Sequence, residues 1–158
     1  MKIFQKFKEY YIKIVNSNST PHGIALAVSV GFFIGFFLPI GTQTIPAILI
    51  AFVLRIDKLL TFAATWICNP YTVPFLYPFF CFTGAKVVGF NLSLSQIERD
   101  ILSICRDFSW VELKDMGFEL GVSFFVGSFI YGVITAVIGY VLVKYLIIRY
   151  RNRKKQLC

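Results

Sequence analysis

Charge is what this chain has least of. Only 15% of its 158 residues are Asp, Glu, Lys or Arg, where soluble domains carry about a quarter. Metal and thiol chemistry are equally thin. The single histidine, His22, cannot complete a zinc site with Cys68, Cys81, Cys105 and Cys158, none of which forms a Cys-x-x-Cys pair. The cysteines therefore read as small hydrophobes. Cys158 is the last residue and cannot begin a prenylation box. There is no His-Glu-x-x-His, no Gly-x-Ser-x-Gly and no phosphate-cradling glycine-lysine loop. No enzyme, cofactor or metal is expected. No small-residue cleavage site follows the lysine-bearing N-terminus, so the chain is expected to keep it.

What fills the space is apolar. Hydrophobic residues make up 57% of the chain. Leu120 to Val143 is twenty-four residues without a charge, against about 20 needed to cross a bilayer core. That segment predicts a transmembrane helix. Two further greasy stretches, 24–54 and 59–90, are each interrupted by a proline-bracketed polar cluster. The first reads Pro39-Ile40-Gly41-Thr42-Gln43-Thr44-Ile45-Pro46, and the second Asn69-Pro70-Tyr71-Thr72-Val73-Pro74. In lipid, irregular backbone survives only where protein or trapped water satisfies its polar groups. Discontinuous helices at membrane depth are also where transporters place binding sites. Gly41, Thr42, Gln43, Thr44, Asn69, Pro70 and Thr72 are thus the candidate polar site, with Arg55 as its counter-charge.

The net charge of +8 is uneven. Lys2, Lys6, Lys8 and Lys13 precede the first apolar stretch. Lys144, Arg149, Arg151, Arg153, Lys154 and Lys155 close the chain without an acid. Lysine and arginine excess marks cytoplasmic flanks, so both termini are expected on the cytoplasmic side. The terminal cations serve more simply as anchors on anionic lipid, at about 1 kcal/mol each near the surface, than as a nucleic-acid site. The expected partners are the bilayer and either further copies of the chain or another membrane protein.

The fold class expected is an all-α integral membrane protein. Residues 1–19 form an amphipathic interfacial helix, 20–148 the membrane domain and 149–158 a basic cytoplasmic tail. Thr20-Pro21 supplies an N-cap and first-turn proline. Gly23, Ala27, Gly31 and Gly35 recur at four-residue steps, the pattern that lets helices pack closely in lipid. Segments 24–38 and 46–54 are short for spanning. They read as a re-entrant hairpin with its tip at Gly41–Thr44, or as two tilted spans. Residues 59–90 read as one broken crossing. Segment 93–116 is an amphipathic surface helix with capping boxes at Ser95/Glu98 and Ser109/Glu112. Gly117, Gly121, Ser128, Gly132 and Ala136 give the last helix its docking faces.

One resemblance follows from these residues. Thr20-Pro21, Gly31, Gly35-Phe36, Pro39, Gly41-Thr42-Gln43-Thr44, Leu54-Arg55 and Thr65-Trp66-Ile67-Cys68-Asn69-Pro70-Tyr71-Thr72 resemble the bacterial membrane family called domain of unknown function 2062. Asp57 stands where that family is expected to have asparagine. The resemblance implies a small prokaryotic inner-membrane protein. Relatives joined to glycosyltransferase domains imply lipid-linked sugar or envelope chemistry. Two functions stay open: a small transporter or translocator of a lipid-linked substrate with its site at the helix breaks, and a non-transporting scaffold or accessory subunit of an envelope system.

Overall fold

The computed structural model describes residues 20–91, 93, 95, 97 and 118–156, with side chains as far as Arg153. The expected amphipathic helix over 1–19 and the second capping box, Ser109 with Glu112, lie outside the described residues. So do Gly117, Glu98 and most of segment 93–116. Among the described residues there are five helices and no strand: α1 Pro21–Phe37, α2 Thr44–Val53, α3 Lys58–Thr65, α4 Val73–Val88 and α5 Phe118–Gln156.

The breaks fall where the prolines put them. α1 starts on Thr20, whose Oγ1 accepts from Gly23 N at 3.1 Å, with Pro21 in the first turn as expected. It ends at Phe37, one residue before the Leu38-Pro39 bond, because the residue before proline resists helical geometry. α2 and α4 open just before Pro46 and Pro74. Between α2 and α3 the chain reverses at Arg55, which adopts φ 53°, in the left-handed region that non-glycine residues seldom enter. Asp57 then caps α3, its Oδ1 accepting from Leu60 N at 2.8 Å. Asparagine caps a helix about as well as aspartate. We expect Asp57→Asn to stay within a few tenths of a kcal/mol of the parent and Asp57→Ala to cost about 1 kcal/mol. Thermal melts of the purified protein check this.

α5 is the spine. Phe37 meets Phe125 and His22 meets Tyr140, so α1 runs antiparallel to it. Gly127 lies on Phe80 and Gly84 on Ser123, so α4 is antiparallel to it too. α3 packs on the other side of α1 and runs parallel with it, Gly31 facing Thr61 and Gly35 facing Thr65. α2 returns alongside α3 at the edge. An aromatic core of Phe36, Phe80 and Phe124, with Cys68, Cys81 and Leu120, closes the centre. Ile97, the described apolar residue of segment 93–116, is wholly buried in that same cluster.

Two helix crossings are too tight for any side chain. A Cβ on Gly31 would collide with Thr61 O and Ala64 Cβ, and one on Gly35 would sit 2.8 Å from Thr65 O. The Gly23–Ala27–Gly31–Gly35 stripe therefore faces α3 through its last two members. Ala27 is fully buried, whereas Gly23 only adjoins its own cap. At the second crossing, Gly84 touches the Ser123 carbonyl and Gly127 the Phe80 carbonyl. On α5, Gly132 packs on Phe33 and the Ala136 carbonyl accepts from Ser29 Oγ at 2.8 Å, as its docking role requires; Gly121 faces open space.

Among the described residues one helix, Phe118–Arg153, is long and apolar enough to cross a membrane. α1, α2 and α4 are apolar but only 10–17 residues long.

Candidate functional site at the helix breaks

Asn69 and Thr72 spend their polar atoms on their own turn. Asn69 Oδ1 accepts from Tyr71 N at 2.9 Å and from Thr72 N at 3.1 Å, while its Nδ2 donates to Trp66 O at 3.4 Å. Thr72 Oγ1 accepts from Asn69 N at 3.0 Å and donates to Ile67 O at 3.0 Å. This is the local side-chain-to-backbone turn that asparagine favours before proline. Pro70 sits exposed within it. The second break is a self-satisfied elbow between α3 and α4.

The first break is built differently. Gly41 is its exposed apex, with φ +93°. Glycine adopts that conformation without strain. Thr42 Oγ1 donates back to Pro39 O at 2.8 Å, and Ile40 N donates to Tyr77 Oη at 2.9 Å, tying the tip to α4. Thr44, half-buried, opens α2, whose N-terminus no side chain caps.

Gln43 reaches from the first break to the chain just before the second. Its side chain is buried, and Nε2 donates to Thr65 O and Cys68 O, each at 3.4 Å. Thr65 ends α3, and its carbonyl also accepts from Cys68 N at 3.3 Å; Cys68 O follows three residues later. Two facing carbonyls force the amino group of the amide inward. Oε1 must then point elsewhere, and it is buried with no partner. An unmet buried acceptor costs about 1–3 kcal/mol.

Arg55 is not part of this joint. It is exposed at the far end of α2, with about 15 Å of helix between it and the tip. No group of three or more His, Cys, Asp or Glu stands together among the described residues. The charged side chains near the bundle pack on aromatic faces instead: Lys58 over Phe52 at 4.7 Å, Lys86 over Phe82 at 4.5 Å and Lys144 over Tyr140 at 5.4 Å. Lys144 also donates to Tyr140 Oη, which His22 Nδ1 meets at 2.7 Å.

Sequence reasoning grouped the polar residues of both breaks but missed what they hold. It also passed over Gly84, Ser123 and Gly127. Their signal, small residues at one helical turn's spacing, is visible only once Gly84 is set opposite the last helix. No curated protein and no solved structure matches the chain. A family model described as "Uncharacterized protein conserved in bacteria (DUF2062)" matches residues 4–156. With nearly its whole length matched, and with the Thr-Trp-Ile-Cys-Asn-Pro-Tyr-Thr elbow at its centre, the chain belongs to this bacterial family.

Proposed function

We propose that the protein is a non-enzymatic membrane scaffold or accessory subunit of an envelope system in the bacterial inner membrane. The observation that carries this reading is the closure of the second break on itself. Every polar side-chain atom of Asn69 and Thr72 has a partner within the same elbow, so none is held ready for a substrate. The rest of the surface supports membrane burial. α2 presents Ile45, Phe52 and Val53 outward, the last 76% exposed, and α5 presents Val133, Val137, Ile138, Val141 and Leu142. In water such faces would drive aggregation; against lipid or a membrane partner they are at rest. Both termini would lie on the cytoplasmic side with their lysines and arginines.

A translocator of a lipid-linked substrate is the second reading, and one observation favours it: the unpaired Gln43 Oε1 between two discontinuous helices. A single experiment separates the two. Cysteines are placed singly, as Gln43→Cys and Thr72→Cys, in a background without the native thiols. They are then treated with a membrane-impermeant maleimide from each side. The scaffold reading expects silence from both sides in folded protein. Labelling of both positions from one face would overturn it and establish a hydrated path.

A further inference from the structure

Phe79, Phe82, Thr83, Lys86 and Val87 recur at steps of three and four, so α4 presents them on one face. That face lies beside the Gly84 crossing and lines an open groove of about 490 Å³. Its walls are apolar and bare, with Phe79 64% and Val87 62% exposed.

Two polar features interrupt the apolar wall. Lys86, exposed on the last turn of α4, lies over the Phe82 ring at 4.5 Å and has no carboxylate partner among the described residues. One turn back, Thr83 Oγ1 meets Tyr131 Oη at 3.1 Å, both residues half-buried. Two hydroxyls sharing one hydrogen bond leave one proton over, whichever of them donates. No acceptor takes that proton among the described residues. The groove thus offers a cation at its rim, a spare hydroxyl donor one turn in, and the Phe79 ring beyond. An acidic headgroup, ester oxygens and an acyl chain match these three in the same order.

Depth agrees with that match. α4 and α5 are antiparallel and Gly84 stands against Ser123, so Lys86 is level with the α5 turn just before Ser123. From there to Lys144, α5 rises about 34 Å, close to the roughly 30 Å of a bilayer's hydrocarbon core. With Lys144 at the inner water boundary, Lys86 stands at the outer one, where a lysine stem lies on apolar surface and its ammonium reaches headgroups.

We propose that this groove of α4 holds one anionic phospholipid of the outer leaflet, its phosphate on Lys86 and an acyl chain along Phe79. Such a site rests on the membrane placement proposed above and serves a scaffold and a translocator alike.

The test uses the full chain, purified in neutral detergent. Native mass spectrometry counts the lipids retained after addition of phosphatidylglycerol or phosphatidylcholine with identical acyl chains. One phosphatidylglycerol per chain is expected to bind about fivefold or more tightly than phosphatidylcholine. Lys86→Gln is expected to remove that preference, and Lys144→Gln, which takes a charge from the inner boundary, to keep it. Val87→Trp fills the groove without changing charge and is expected to displace the tight lipid. Melting midpoints without added lipid show that each variant folds. Equal binding of the two lipids by the parent would overturn the proposal, as would an undiminished preference in Lys86→Gln. So would an equal loss in Lys144→Gln, which would trace the effect to scattered charge, or full competition by free glycerol phosphate. Alkaline washing of cell membranes separates this site from its premise. A chain released by the wash refutes the membrane placement, whereas a retained chain without the lipid preference refutes the groove alone.

Discussion

Gly84→Ala and Gly127→Ala are each expected to lower the melting midpoint, by up to roughly 10 °C. At both positions the added methyl lands on a backbone carbonyl of the facing helix, Ser123 O for Gly84 and Phe80 O for Gly127. A backbone carbonyl cannot rotate aside as a side chain would, so α4 and α5 must separate along their whole contact. Overpacking of this kind costs about 1–3 kcal/mol, and in a chain of this size each kcal/mol moves the midpoint by about 2–4 °C. The loss is partly offset by the better helix propensity of alanine, about 0.5–1 kcal/mol. Gly121→Ala is the control, because a Cβ there meets nothing within 4 Å. That variant keeps the propensity gain without the collision and is expected to melt at or slightly above the parent. Differential scanning fluorimetry of the three variants in one detergent decides the matter. Equal behaviour of Gly84→Ala and Gly121→Ala would mean that the α4–α5 contact is looser than described.

Asn69→Ala is expected to destabilise the protein on the order of 2–4 kcal/mol. It strips the acceptor from Tyr71 N and Thr72 N at once and releases Trp66 O as well. Each lost bond is worth about 0.5–1.5 kcal/mol, with a further cost where the stranded group is buried. Asn69→Asp retains both acceptances and loses only the 3.4 Å donation, so it is expected to fall well short of alanine. The pair of variants also bears on function. A structural elbow ranks them by stability, alanine far below aspartate, with neither altering any activity independently of folding. A substrate site would be sensitive to the new charge first. Thermal melts of both variants in one detergent would read the ranking.

The outline of the helices was legible because prolines punctuate it. Thr20-Pro21, Pro39, Pro46 and Pro74 place four of the element boundaries to within two residues, and Pro70 follows the end of α3 by five. The elbow was half legible. Asn-Pro-Tyr-Thr is a turn by local chemistry, but a polar cluster in a greasy stretch looks the same whether it waits for a ligand or bonds to itself. Hydrogen-bond direction is needed to tell the two apart, and that is a property of coordinates. Gln43 shows the opposite case. Nothing in its neighbours along the chain indicates that it reaches residues 22 and 25 positions away. Glycine crossings share this limit: Gly31 and Gly121 look alike in a string, and only the partner helix makes the first indispensable and the second free. That α5 is long and apolar enough to cross a membrane was legible throughout, since length and apolarity are properties of the string itself.

The length of α5 has a consequence for the basic end of the chain. Its 39 residues extend about 58 Å, nearly twice the roughly 30 Å of a bilayer's hydrocarbon core. With Lys144 at the water boundary, a straight helix standing upright carries Arg149 about 8 Å and Arg153 about 14 Å further out. Ions at physiological strength screen a surface charge over about 8 Å. The terminal arginines are therefore unequal as anchors: the inner ones feel the lipid headgroups, while the outermost stands in a field already faded. A tilt that lays this end along the surface restores the full attraction. Under the proposed membrane placement, the orientation of the whole bundle is thereby coupled to the anionic lipid content around it.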